Sequence, residues 1–335
     1  MNAPLRPLLK AAPIALSAVL LAACGGSGSD SGDTSGTTGT SDSTTGTASF
    51  AVTDGPSDQV SNVFVTFDRI DIKPAEGEIE SFPLDTAERI DLLALQGGNA
   101  ASLIDNVEVP AGDYDWVRLY VVPGLPDSEV IEDGTNASFG LYVPGSQPPS
   151  QNPNQRFIQL SSPFTVPAGG HADFVIDVDL RKALVRRDAP PMVEPFYMIR
   201  PSLRIVDRVA TGSISGTVDS ALIDDEACIE DDEGNQANAV YLFSGTDADV
   251  GDVYVDASGE PIARDAEDNP VSTANVEMNE EGLYTYTLGF VEAGEYTVAF
   301  TCDAVADDAE ADDDLTFTDG INVSVAAGED EAVDF

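Results

Sequence analysis

The apolar residues of this chain fall in the pattern of strands. Phe50 and Val52 alternate with smaller or polar neighbours, as do Val63, Val65 and Phe67, and a period of two puts one face of each segment in a core. After Phe67 the parity changes to Ile70 and Ile72, which predicts a β-bulge near Asp68 and Arg69. Lys73-Pro74 should end that strand, because proline cannot donate to a ladder. Between Arg89 and Asn106 the residues Ile90, Leu92, Leu93, Leu95, Leu103 and Ile104 predict a strand and then a short helical turn, broken by Gly97-Gly98. Further strands are expected at 114–122, 139–143, 156–160, 172–178 and 203–209, with an exposed Pro- and Gly-rich loop at 144–153. A second set is expected at 213–218, after Gly282-Leu283-Tyr284, at 296–300 and at 321–325.

An Ala-Gly turn precedes three of these strands, at Pro110-Ala111-Gly112, Pro167-Ala168-Gly169 and Glu292-Ala293-Gly294. Glycine admits the positive φ that such a turn needs, and the tyrosine two positions on, Tyr114 or Tyr296, can pack over it. The three read as hairpin geometry common to β-sandwiches, not as a repeat array.

The N-terminus is patterned differently. Arg6 and Lys10 precede a stretch, 11–23, that is apolar apart from Ser17 and too short for a comfortable bilayer span. It ends in Leu21-Ala22-Ala23-Cys24-Gly25-Gly26. This run resembles the bacterial lipobox, which implies cleavage before Cys24, a lipid on its sulfur and, with Gly25 next in the chain, sorting to the outer membrane. Two or three acyl chains hold far better than one, since each buried methylene adds about 0.8 kcal/mol. From Gly25 to Thr47 the chain is almost entirely Gly, Ser, Thr and Asp, a flexible tether whose r.m.s. reach is roughly 25–30 Å.

The chain beyond the tether is too long for one ordinary core. The expected fold is all-β: two β-sandwich domains after a signal peptide and a flexible linker. The divisions are 1–23 signal peptide, 24–47 tether, 48–208 first β domain and 209–335 second, acidic β domain.

Charge sharpens this division. The net charge is −45, yet 33 of the 60 acids and only one of the 15 basic residues, Arg264, lie from Thr211 onward. Such a surface repels phosphate backbones and anionic headgroups, so nucleic acid is not an expected partner. High acid with lysine only at Lys10, Lys73 and Lys182 fits a salty medium that screens self-repulsion. Of the three cysteines, Cys24 belongs to the lipobox, leaving Cys228 and Cys302 as the one pair able to form a disulfide. That bridge would close a loop of about 75 residues, worth roughly 4 kcal/mol in the chain-entropy account, and fits an oxidising compartment.

Catalytic constellations are not evident. The single histidine, His171, lies in a turn, there is no G-x-S-x-G elbow, and no paired carboxylates stand out. No catalytic residue, metal site or cofactor is therefore expected. Calcium is the metal best suited to the acidic runs Asp224-Asp225-Glu226, Asp247/Asp249/Asp252 and Asp312-Asp313-Asp314, but none follows the D-x-D-x-D-G loop, and solvated acid is the preferred reading. Ligand binding has one concrete candidate. In the strand at 114–122 Tyr114, Trp116, Arg118 and Tyr120 share one parity, and Val117, Leu119 and Val121 the other. With the aliphatic face in the core, an aromatic and arginine ladder faces outward, able to stack on sugar rings and bind carboxylates.

The runs SFAVTD at 49–54, NVFVTFDRI at 62–70, IDLLALQ at 90–96, PAGDYDWVRL at 110–119 and IRPSLRI at 199–205 together resemble domain of unknown function 4382. That family occurs on secreted and lipid-anchored prokaryotic proteins, and the resemblance implies no activity. The Gly-x-Tyr and Ala-Gly-x-Tyr pattern around Tyr284 and Tyr296 resembles carboxypeptidase-regulatory-like modules with a transthyretin-type sandwich, from which the acidic insertions at 224–233 and 303–314 depart. The reading is a non-enzymatic envelope module that binds glycan or envelope protein. Its alternatives are a structural spacer without ligand and, more distantly, a carboxylate-dependent hydrolase.

Overall fold

In the computed structural model the described residues are 44–149, 152, 154–188, 193–223, 228, 237–264 and 267–335. The signal sequence, Cys24, most of the tether and the acidic run 224–226 lie outside them.

The first thirteen strands are β1 (Thr45–Gly55), β2 (Val60–Pro74), β3 (Glu80–Asp91), β4 (Ala101–Pro110), β5 (Gly112–Val121), β6 (Glu129–Glu132), β7 (Ser138–Tyr142), β8 (Phe157–Leu160), β9 (Phe164–Val166), β10 (His171–Asp179), β11 (Leu184–Arg187), β12 (Phe196–Ile199) and β13 (Leu203–Asp207). They form two sheets. One has the order β13-β10-β1-β4, with β1 and β10 parallel. The other runs β11-β12-β7-β6-β2-β5-β8, with β3 also on β2 and β9 also on β5. Phe50, Val52, Val63, Val65, Phe67, Ile70 and Ile72 are fully buried between them. Each such side chain contributes about 1.5–3 kcal/mol by leaving water.

The parity change in β2 is a real bulge. Against β5 its register slips between Phe67 and Arg69, so Asp68 is the extra residue and Ile70 returns to the core; the slip against β3 at the same place puts its extra residues, between Pro83 and Glu88, on β3. Leu92–Leu95 form a 3₁₀ turn, while Leu103 and Ile104 belong to β4. β1 starts at Thr45, inside the segment expected to be tether.

The remaining strands are β14 (Thr211–Val218), β15 (Ala239–Ser244), β16 (Ser272–Asn275), β17 (Glu277–Met278), β18 (Tyr284–Glu292), β19 (Gly294–Thr301), β20 (Ile321–Val325) and β21 (Asp330–Ala332). Their sheets are β17-β18-β14-β21 and β16-β15-β19-β20, packed around Ile214, Val240, Leu242, Leu288, Val298 and Phe300. β15 is buried on both faces. Val240 and Leu242 point into this core, whereas Ala239, Tyr241 and Phe243 lie under Val253, Val255, Ala304 and Ala309 of the long acidic loops. A continuous apolar run is what a strand covered on both sides requires.

Two of the Ala-Gly turns close in the same way. Tyr114 donates its hydroxyl to the Pro110 carbonyl (2.7 Å) and Tyr296 to that of Glu292 (3.0 Å), each bridging back four residues over the turn. Gly112 takes φ 132°, a conformation closed to most side chains. Cys228 and Cys302 are joined in a disulfide.

Among the described residues no ladder joins β1–β13 to β14–β21. The two sets meet through side chains. Arg181, on the one-turn helix α1 (Leu180–Ala183), is 7% exposed. It donates to Asp58, to the Ala304 carbonyl (3.1 Å) and to Asn275 (3.1 Å). Arg200, fully buried, donates to the Lys182 and Asp256 carbonyls (2.9 and 3.2 Å) and lies 3.3 Å from Glu310. Arg187 grips Glu310 with two 2.8 Å bonds.

Candidate functional site

The candidate site is the outer face of the β2–β5–β8 ladder. The pairing sets Arg69 opposite Tyr120, Asp71 opposite Arg118 and Lys73 opposite Trp116, while β8 sets Gln159 beside Arg118 and Phe157 beside Tyr120. The bulge at Asp68 matters here, because it brings Arg69 onto this face while Phe67 and Ile70 stay in the core.

Tyr114 is not part of this face. The register slips again where Lys73 and Pro74 meet Trp116 and Tyr114, so an extra residue in β5 turns Tyr114 inward. It is 1% exposed, stacked on Phe164 at 4.8 Å, and burial pushes its hydroxyl up to about 12. Simple alternation fails at a bulge, which flips every residue beyond it.

Trp116, Arg118 and Tyr120 do share the outer face, and they are stacked with cations. The Arg118 guanidinium lies between Trp116 (4.1 Å) and Phe157 (4.3 Å), its Nε donating to Gln159 at 2.7 Å. Arg69 covers Tyr120 at 3.5 Å, and Arg156 lies 5.6 Å from the same ring. Each such pair contributes about 0.5–2 kcal/mol. Trp116, Arg118 and Phe157 remain half-buried, and Tyr120 is closed off beneath its two arginines.

Counter-charges distinguish the arginines. Arg69 pairs with Asp71 (3.1 Å) and Arg156 with Asp68 (2.8 Å). Arg118 has no carboxylate within 4.0 Å among the described residues, since Asp71 across the ladder is held by Arg69. In a chain of net charge −45 an arginine so placed stands apart. Phe157, Arg69 and Arg156 complete the cluster, and sequence reasoning missed them. Arg69 was legible from the parity switch, but its stacking on Tyr120 depends on strand order, which local pattern does not carry.

The acidic runs do not assemble as grouped by the sequence. Asp247 accepts from Asn322, and the Asp249 amide donates to Asp268. Asp252 is fully buried and bound by Arg264, which also holds Asp312 (2.8 Å). Asp252 instead approaches Asp307 and Asp313. Most of those carboxylate oxygens are already satisfied: Asp252 accepts from the Asp313 amide, and Asp307 from the Val253 amide and the Tyr241 hydroxyl. His171 is exposed, with Nδ1 3.0 Å from the Thr47 hydroxyl, at the rim of a groove of about 380 Å³ that also holds the Arg208–Asp173 pair (3.3 Å).

Residues 45–195 match DUF4382, a domain of unknown function. The Trp116–Arg118 face lies wholly within this DUF4382 segment, whereas Arg200 and the acidic strands from Thr211 onward lie beyond it. No curated protein matches the chain in sequence. Solved structures align with it at low similarity, three of them as follows. One is a leucine-rich repeat protein from Bacteroides thetaiotaomicron (14% identity, 88% of this chain and 26% of that one, TM-score 0.20). Another is a candidate adhesin from Bacteroides ovatus (8% identity, 88% and 92%, TM-score 0.18). The third is a minor pilin from Streptococcus agalactiae (8% identity, 86% and 94%, TM-score 0.16). The chain thus spans about a quarter of the leucine-rich repeat protein. Among the described residues no helix is long and apolar enough to cross a membrane.

Proposed function

We propose that this chain is an exported, non-catalytic envelope module, held to the outer membrane by lipid on Cys24, that binds acidic glycan through Trp116 and Arg118, with the buried Tyr120 supporting the arginines beside them. One observation carries the ligand reading. Arg118 is clamped between two rings with its outer N–H groups unclaimed by any carboxylate of the described residues. A guanidinium held flat beside an aromatic surface is preorganised for a carboxylate. The cluster also sets three arginines, Arg69, Arg118 and Arg156, beside Asp68 and Asp71, which pair with Arg156 and Arg69 and leave Arg118 to draw an anionic partner. The disulfide supports an oxidising compartment, and the run Leu21-Ala22-Ala23-Cys24 supports the anchor.

A glycan array carrying uronate-containing oligosaccharides beside their carboxyl-reduced counterparts tests this reading. Binding to the acidic members alone is the expected result. A blank array, or equal binding to both sets, overturns it. Mass spectrometry of the native N-terminus tests the anchor separately, an unmodified Cys24 being the contrary result.

A spacer without ligand is the second reading, favoured by the interlocked arginines at the junction of the two sandwiches. It predicts a blank array together with full dependence of rigidity on Arg181 and Arg200.

A further inference from the structure

A second set of acidic residues lies at the junction, away from the aromatic face and from every acidic run singled out in the sequence. At the C-terminal ends of the parallel strands β1 and β10, Thr53, Asp54 and Gly55 pair with Asp177, Val178 and Asp179. Two of the three carboxylates have counter-ions: Asp177 binds Arg204 (2.7 Å) and Asp179 binds Lys182 (2.8 Å). Asp54 has none. It is 7% exposed, and neither of its oxygens has a well-aligned hydrogen-bond partner among the described residues, the nearby Leu180 amide only partly offsetting the burial. Asp177 Oδ1 is likewise unsatisfied.

These residues border a cavity of about 20 Å³. One wall is Thr53, Asp54, Gly98 and Asp177 of the first sandwich; the other includes Ser272, Thr273 and Thr287 of the second. The volume exceeds the roughly 10–15 Å³ that a single water-sized occupant needs. The backbone closes tightly beside it. A Cβ on Gly289 would lie 2.4 Å from the Gly98 Cα, and β18 bulges there, with Phe290 at φ 52°.

We propose that this cavity is a cation site, occupied by one calcium ion that ties the two sandwiches together. A buried carboxylate with no partner costs several kcal/mol unless a positive group joins it. A proton on Asp54 satisfies one oxygen at most, whereas three unsatisfied carboxylate oxygens border this space, with threonine and serine around them. Carboxylate and hydroxyl oxygens, here beside Leu288 and Phe290, are the donor set of a hard cation, and calcium tolerates the irregular geometry of such a site better than magnesium. Burial and the nearby Asp177 and Asp179 raise the Asp54 pKa well above its ordinary value, so an ion that binds here displaces a proton and its affinity increases with pH. The inference is independent of the lipid anchor and of the glycan reading.

The test is thermal unfolding of the full chain, purified in detergent, in chelator-treated buffer with and without millimolar calcium chloride. The wild type should gain roughly 5 °C with calcium, the Asp54→Asn variant should gain nothing, and Asp312→Asn, in the other acidic cluster, should respond as the wild type does. A calcium response retained in Asp54→Asn, or absent from the wild type, overturns the proposal, and an equal response to magnesium overturns the choice of ion. Should Asp54→Asn fail to fold, anomalous density in wild-type crystals grown with calcium decides: a peak between Asp54 and Asp177 supports the site, and its absence refutes it.

Discussion

Arg118 and Arg181 are the same residue in opposite surroundings. Arg181 is buried at the junction, with Asp58, Asn275 and the Ala304 carbonyl taking its donors. Arg118 is half-buried on a sheet face, with rings on both sides and no carboxylate. A guanidinium saturated by protein partners has nothing left to offer a ligand, and its removal strands a buried charge. One held by ring faces keeps its donors and can be lost at little structural cost. The fourteen basic residues upstream of Thr211 therefore divide by role. Some are spent at the junction: Arg187 and Arg200 pair with Glu310 of the acidic second sandwich, which has only Arg264 of its own, and Arg181 pairs with Asp58 of the first while donating to Ala304 and Asn275 of the second.

The contrast breaks most readily at the junction. Arg181→Ala leaves Asp58 uncompensated and its bonds to the Ala304 carbonyl, Asn275 and Thr273 unmade, and should cost about 3–5 kcal/mol in urea unfolding. It should also split the transition in two if the sandwiches depend on this residue for coupling; a single unshifted transition would show that the junction is held otherwise.

Reducing the Cys228–Cys302 bond, or replacing both residues with serine, should cost about 2–4 kcal/mol. That loss falls on the second sandwich, so glycan binding at Arg118 should survive it, as titration of the reduced protein would reveal.

Asp307 sharpens the junction side by pH. Burial raises its pKa from 3.8 to about 7, against the pull of Arg181 and the Tyr241 hydroxyl. The folded state thus holds this proton more tightly than the unfolded chain. The resulting stability is complete below the ordinary value of 3.8 and is lost as pH climbs through about 7. Asp307→Asn should flatten that slope and gain on the order of 1–3 kcal/mol over the wild type above neutrality, measured as unfolding midpoints across a pH series.

Much of this architecture was legible along the chain. Period-two patterning located β1, β2, β5, β10, β14 and β19, and the parity switch at Phe67 and Ile70 identified the bulge in β2. What escaped depended on partners distant in sequence. β6, β11 and β12 are four-residue strands, too short to show a period. β15 reads as continuous apolar residues because the acidic loops cover its second face. At the candidate site, Trp116, Arg118 and Tyr120 followed from alternation, while Tyr114 was misassigned because nothing local announces the second bulge. The charge asymmetry was visible in composition, but its consequence, arginines of one sandwich locked onto acids of the other, required the fold.

The division between a spent and an available arginine is tested most directly by Arg118→Gln, measured for both stability and affinity. Calorimetric titration with a uronate oligosaccharide should show binding to the wild type and at least a tenfold loss in the variant, with an unfolding free energy within about 1 kcal/mol of the parent. A variant that binds as well as the wild type, or one that unfolds as readily as Arg181→Ala, would contradict the account.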